Sequence, residues 1–239
     1  MLEHTKTVRP MRVGLLVPSS NTVLENDLHS GLPKADFKIH AGRMFLVTTT
    51  REAEKQMIEE FAPKAADDVG TANPDVLVFG CTSAGSLFGL DYDAQVCRAL
   101  GARANCTGLG VVSAVAQALD SNGARRLAVL TPYNDDLTQS VASAVSAGRE
   151  IVCAYGMGIT ENFALATPTP DDIVAFARQR LRGERYDAVF VSCTNFRAYE
   201  ARAALIDALG APVITSNSAV IDAVNRYRQT VFAAQSHRH

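Results

Sequence analysis

Asp75-Val76-Leu77-Val78-Phe79-Gly80-Cys81-Thr82 returns almost half a chain later as Asp187-Ala188-Val189-Phe190-Val191-Ser192-Cys193-Thr194. Each copy is an aspartate, an apolar run too short for a helix, one small residue and then Cys-Thr. Unbroken rather than alternating hydrophobicity marks a strand buried on both faces, as in a parallel sheet covered by helices. Two such strands, each ending in the same pair of polar residues, predict a chain built from two similar α/β halves.

The neighbouring segments follow the same grammar. Arg12–Pro18 is an apolar strand stopped by proline before Ser19-Ser20-Asn21-Thr22, with a helix over Thr22–Ser30. Ile39–Phe45 reads as a second strand, and Met57, Phe61, Ala65 and Val69 set helical spacing over Arg51–Thr71. In the second half, strands are expected at Arg126–Leu130, Ile151–Tyr155, Ala188–Val191 and Pro212–Thr215. Helices are expected at Ser113–Leu119, Asp136–Val145, Asp171–Leu181, up to Leu209 and from Ser218. The expected fold class is therefore α/β: two pseudo-symmetric parallel-sheet lobes of flavodoxin-like type, with the active site in the cleft between them. The first lobe spans 11–110, with a C-terminal helix at 218–230 packing back on it. The second spans 111–217, and 1–10 and 233–239 are read as frayed tails.

Composition narrows the function. A net charge of −2 lacks the clustered Lys/Arg of a nucleic-acid groove. No apolar run is long enough to span a bilayer, and Met1–Pro10 has no signal-peptide core. Five scattered cysteines, an odd number without a CxxC pair, argue against a disulfide framework or zinc ribbon and point to a reducing cytoplasm. Cys97 and Cys153 read as small buried hydrophobes. No phosphate-binding glycine motif, HExxH or GxSxG elbow is present, so neither a cofactor nor a metal is implied.

In open α/β sheets the functional loops follow the carboxyl ends of strands. Asn21, Cys81, Tyr133, Asn162 and Cys193 all stand there. A cysteine between a strand and a helix N-terminus is placed where free N–H groups favour thiolate. Cys81 and Cys193, facing each other, suit two chemistries. One cysteine can remove a proton while the other donates one, or one can add covalently while the other moves the proton. Asn21, Asn162, Tyr133 and the loop residues Thr82, Ser83 and Thr194 are the candidate carboxylate binders.

These residues resemble the aspartate/glutamate/hydantoin racemase superfamily, and within it the branch of maleate cis-trans isomerase and arylmalonate decarboxylase. The similarity runs from Val13 to about Val224. It is carried by Val17-Pro18-Ser19-Ser20-Asn21-Thr22 with Glu25, Gly80-Cys81-Thr82, Thr131–Thr138, Ile159-Thr160-Glu161-Asn162 and Ser192-Cys193. The resemblance implies a cofactor-independent isomerase of a small carboxylate, turning maleate into fumarate. Cys81 would add to the alkene, Cys193 would handle the proton, and Asn21, Asn162 and Tyr133 would hold carboxylates. It also implies a homodimer. The alternatives it leaves are an amino-acid or hydantoin racemase, a decarboxylase of a substituted malonate and a carboxylate-binding protein without turnover. The decarboxylase branch typically lacks the first cysteine, so carrying both disfavours simple decarboxylation.

Overall fold

The apolar run that follows Asp75 is a strand hydrogen-bonded on both sides. The structure, a computed structural model, describes residues 9–236. In its first sheet β1 (Met11–Pro18), β2 (Phe37–Met44), β3 (Val76–Phe79) and β4 (Thr107–Gly110) lie parallel in the order β2-β1-β3-β4. The second sheet repeats the order as β6-β5-β7-β8, from β5 (Arg126–Thr131), β6 (Glu150–Gly156), β7 (Ala188–Val191) and β8 (Val213–Thr215). β3 and β7 are buried along their whole length, as their unbroken hydrophobicity requires.

The repeated aspartates belong to this architecture. Asp75 accepts the Arg12 N–H at the start of β1 at 2.8 Å, and Asp187 accepts the Arg126 N–H at the start of β5 at 2.8 Å. Each carboxylate thus ties the central strand to its neighbour and fixes where both strands begin.

Helices cover the sheets: α1 (Leu24–Gly31), α2 (Arg51–Gln56), α3 (Ala62–Gly70), α4 (Thr82–Phe88), α5 (Leu90–Arg103), α6 (Val111–Ser121), α7 (Asp135–Ala144), α8 (Pro170–Arg180), α9 (Ala198–Leu209) and α10 (Ser216–Ser236). The side chains of β1 and β3 divide between two cores. Val13, Leu15, Val17, Val76 and Val78 join a core continuous with the second half. Leu16, Leu77 and Phe79 face a smaller one with Met57, Ile58, Ala62 and Ala66. At roughly 1.5–3 kcal/mol per buried aliphatic side chain, the shared core binds the halves firmly together.

Three expectations need correction. The helix read over Arg51–Thr71 is interrupted by a π segment at Met57–Phe61, where the Ala62 N–H reaches Met57 O. Pro63, which has no N–H and crowds the preceding turn, sits in the first turn of α3, and the wider π turn accommodates it. The last helix begins at Ser216 rather than Ser218 and runs to Ser236, through most of the expected tail; 237–239 lie outside the described residues. At the other end 1–8 lie outside the described residues, but Arg9 is held by a bidentate ion pair to Asp75 (2.6 and 2.8 Å). No linker separates the halves: β4 runs straight into α6, against which α10 packs. From α10, the Tyr227 hydroxyl donates to Thr107 Oγ1 at 3.0 Å, within the first sheet.

Candidate active site

Cys81 is two residues past the end of β3 and the N-cap of α4, with extended backbone (φ −132°, ψ 115°). Gly80 lets it come this close: a Cβ there would stand 2.6 Å from Leu24 Cδ2 and 2.8 Å from Leu16 O. The thiol lies 3.4 Å from the Ser83 hydroxyl and receives the Ala84 N–H. Cys193 is two residues past the end of β7 and has φ 91°, a left-handed conformation costing a non-glycine residue about 1–3 kcal/mol. Its N–H donates to Ser216 Oγ at 3.1 Å, which holds the strained turn. Its sulfur accepts the Asn195 N–H at 3.2 Å and the Tyr133 hydroxyl. Tyr133 follows β5, so three of the strand ends converge here.

The enclosure is sealed. Cys81 is 2% exposed, Cys193 4%, Tyr133 1% and Glu54, from α2, 0%. Glu54 disfavours charge on Cys81, Cys193 and Tyr133 alike, so the four buried groups lie near enough to interact. Burial dominates the electrostatics and opposes the thiolate that free N–H groups at a helix N-terminus favour. Burial pushes the Cys193 thiol up to about 12, against the hydrogen bonds from Tyr133 and Asn195. Burial raises Cys81 further still, and the Glu54 charge adds to the rise. Tyr133 is held well above the usual phenol range, first by burial and then by Cys193. Glu54 itself is pushed up to about 8 by burial, with Ser83 drawing it down.

Around the thiols runs a web of neutral polar groups that crosses between the halves. Asn21 accepts from the Val23 and Leu24 N–H groups at 3.0 and 3.1 Å, capping the entry to α1, while its amide donates to Thr194 Oγ1 at 3.1 Å. Thr194 in turn donates to Gly80 O at 3.1 Å, and Thr82 donates to Ser216 Oγ at 3.2 Å. The two Cys-Thr loops are thus tied reciprocally, each threonine reaching the strand end of the other half. Asn162 donates to Ser20 Oγ at 2.7 Å, and its carbonyl accepts the Asn195 amide. Its own N–H donates to Val47 O at 3.1 Å, beside an isolated bridge between Thr48 and Glu161 that closes the loops over the site. Of the expected serine and threonine hydroxyls, Ser83's is the one turned to a thiol, whereas those of Thr82 and Thr194 serve the bridges. Arg43 braces the first loop from outside, donating to Asn21 O at 2.7 Å and pairing with Glu25 at 2.8 Å. Of the two cysteines read as buried, Cys97 is, but Cys153 is half-buried on the edge strand β6.

Sequence reasoning passed over Glu54, Ser216 and Asn217. Ser216 could have been found, because it follows β8 as Cys193 follows β7. Asn217 donates to Asp27 at 2.6 Å and to Thr194 O at 3.2 Å, and burial raises the Asp27 carboxyl to about 6. The signal for Glu54 was its register: it precedes Met57 by three residues and Ile58 by four, on the buried face of the helix. Among the described residues no cluster of three or more His, Cys, Asp or Glu could hold a metal, and no helix is long and apolar enough to cross a membrane.

Comparison with known proteins agrees with this architecture. The Geobacillus stearothermophilus maleate isomerase is 28% identical over 224 residues, covering 88% of both chains. The Pseudomonas putida maleate isomerase structure superposes with a TM-score of 0.84 at 24% identity, covering 90% of this chain and 92% of that one. A cysteine-to-serine variant of the Nocardia farcinica maleate cis-trans isomerase, holding a covalently bound succinylcysteine intermediate, superposes with a TM-score of 0.81 at 23% identity, covering 90% and 91%. The family model described as arylmalonate decarboxylase matches residues 13–238, and the chain belongs to that family.

Proposed function

We propose that this chain is a cofactor-independent two-cysteine isomerase of a small carboxylate, with maleate to fumarate as its reaction. The observation that carries the reading is the pair of thiols, at equivalent strand ends of two like halves, buried in one enclosure without a nearby cation. In the reaction Cys81 releases its proton to solvent before the loops close, and the thiolate adds through sulfur to one alkene carbon. The π electrons move to the other carbon and its carboxylate as an enediolate, which takes a proton from Cys193 to give a succinyl thioether. The former double bond is now single and rotates. Cys193 removes the proton, the alkene re-forms in the trans geometry, and the C–S electrons return to Cys81. No oxidant or reductant is needed, and the succinylcysteine of the Nocardia farcinica relative is an adduct of this type.

Tyr133 supports the proton step, because its hydroxyl stabilises Cys193 whenever the proton has left. The Asn21 and Asn162 amides are the natural carboxylate donors; substrate would replace Thr194 and Ser20 as their partners. Since the site is sealed, the loops joined at Thr48 and Glu161 must part to admit it.

Proton NMR of maleate incubated with the protein in D₂O tests the proposal. Fumarate appears if it is right, and its absence at high enzyme concentration rejects it. Decarboxylation, favoured by the description of the family model, would show instead as CO₂ loss from a substituted malonate. Racemisation would show as deuterium at Cα of an amino acid. A homodimer and a cytoplasmic setting complete the proposal. The former is supported by Phe45, Val47 and Phe163, exposed around the same closing loops, and the latter by five free thiols. Sedimentation equilibrium of the purified protein tests the dimer, and fractionation of expressing cells tests the location.

A further inference from the structure

An anion site usually supplies a cation, but the groups that shift Cys81, Cys193, Tyr133 and Glu54 include no Arg, Lys or His. The site supplies a buried acid instead. Glu54 has no exposed surface, and neither of its carboxyl oxygens has a hydrogen-bond partner of ordinary geometry. A buried polar group without partners is costly to keep, and an unpaired buried charge far more so. No cation compensates the charge, and only the Ser83 hydroxyl draws the carboxyl down. On α2 itself Arg51 turns outward to Leu87 O and the Phe88 ring, Lys55 pairs with Glu59, and Glu52 is exposed. The facing helix α4 (TSAGSLF) contributes no charged residue. The titratable groups that remain against Glu54 are the two thiols and the Tyr133 phenol.

Given the carboxylate reading above, on which this rests, we propose that Glu54 enters catalysis as a neutral acid and donates its proton in a hydrogen bond to a carboxylate oxygen of the bound substrate. A charged Glu54 would repel a dicarboxylate inside a low-dielectric enclosure; a protonated one turns the same contact into a charge-assisted hydrogen bond. Substrate affinity is therefore linked to one proton. Because Glu54 is raised to about 8, that proton is in place at neutral pH and leaves as the medium becomes alkaline.

Maleate binding to Cys81→Ala, which cannot form the adduct, reads this directly by titration calorimetry between pH 7 and 9.5. Affinity should hold to about pH 8 and then fall about tenfold per pH unit, with uptake approaching one proton per maleate. In Cys81→Ala combined with Glu54→Gln, a neutral isostere, affinity should be flat and proton uptake absent. Flat binding in the first protein, or an unchanged pH dependence in the second, overturns the proposal. Should maleate bind neither, the maleate reading fails, and Glu54 is judged in the protein with Cys81 intact. There the rate of Cys81 alkylation by anionic iodoacetate, divided by that of neutral iodoacetamide, should fall through about pH 8 and stay flat in Glu54→Gln. The thiol's own ionisation cancels in that ratio. A flat ratio in the parent, or an equal fall in both proteins, overturns the proposal.

Discussion

The Cys81 loop and the Cys193 loop start from the same plan and end in different chemistry. Each follows a fully buried parallel strand whose aspartate grips the neighbouring strand, and each sends its threonine across to the other half. After Cys81 the chain turns at once into α4, so the sulfur meets Ser83, the Ala84 N–H and the Glu54 acid. After Cys193 the backbone passes through φ 91°, and α9 begins only at Ala198. That turn delivers the Asn195 N–H and leaves room for the Tyr133 hydroxyl. The strand plan therefore fixes where a sulfur stands, and the four or five residues after it fix how tightly the sulfur keeps its proton. Each sulfur has two donors, but the Glu54 charge weighs less on Cys193, so burial raises Cys193 less than Cys81.

The largest effects come from exchanging the sulfurs. Cys81→Ser and Cys193→Ser should each lower kcat by about 10³-fold or more, since each removes a nucleophile or a positioned proton carrier. They should differ in what accumulates. Cys193→Ser treated with maleate should retain a succinyl mass on Cys81, while Cys81→Ser should show none; intact-protein and peptide mass spectrometry decide. A succinyl group on Cys193 would reverse the assignment of the two loops. Tyr133→Phe is expected to cost about 10- to 100-fold in kcat, the range for losing a hydrogen bond to a charged group, by raising Cys193 alone. Iodoacetamide labelling should then slow at Cys193 and not at Cys81, and equal slowing would mean that Tyr133 serves both.

What the sequence disclosed follows the same division. The strand-end cysteines, Asn21, Tyr133 and Asn162 were legible because buried parallel strands announce themselves by unbroken hydrophobicity, and polar residues after them have few other reasons to be there. Ser216 belonged to that pattern and was passed over. Glu54 was hidden by its own chemistry: among Arg51, Glu52 and Lys55 it looks like one more solvated charge, and only the exact turn of a short helix puts it inside. The strained turn at Cys193 was not legible either, since nothing in Ser-Cys-Thr-Asn demands a positive φ. It is held by Ser216 and Tyr133, far along the chain, together with the Asn195 N–H.

The two carboxyls near the loops sharpen the contrast through pH. Glu54 lies on the Cys81 side and Asp27, through Asn217 and Thr194, on the Cys193 side. Both are raised on folding, so the folded chain binds their protons more tightly than the unfolded chain. Stability from each is complete below its unfolded value and falls as pH rises toward its folded one. For Glu54 that window runs from 4.5 to about 8, and for Asp27 from 3.8 to about 6. The Glu54 slope approaches about 1.4 kcal/mol per pH unit. Glu54→Gln should therefore gain in urea midpoint over the parent between pH 5 and 8 and level off above. Asp27→Asn should complete its pH-dependent change by about pH 6. Identical windows in the two variants would mean that the surroundings of the two cysteine loops are not electrostatically distinct.

The smallest effects concern the two aspartates that make the halves alike. Asp187 accepts two backbone N–H groups, from Arg125 and Arg126, at 3.2 and 2.8 Å. Asp75 accepts one, from Arg12, and adds the Arg9 ion pair, whose hydrogen bonds hold its carboxyl below the usual carboxylate range. Arg9 is exposed, so its share is worth about 0–1 kcal/mol and is screened by salt. Asp187→Asn should lower stability by about 1 kcal/mol at every ionic strength, because an amide oxygen still accepts but without charge. Asp75→Asn should do the same at high salt and cost a few tenths more at low salt, and Arg9→Ala should reproduce that salt-dependent part alone. Neither aspartate touches the sulfurs, so kcat should be unchanged in all three variants. A salt-independent loss in Arg9→Ala would show that the N-terminal segment packs the first sheet rather than merely pairing a charge, and the resemblance of the halves would then stop at their central strands.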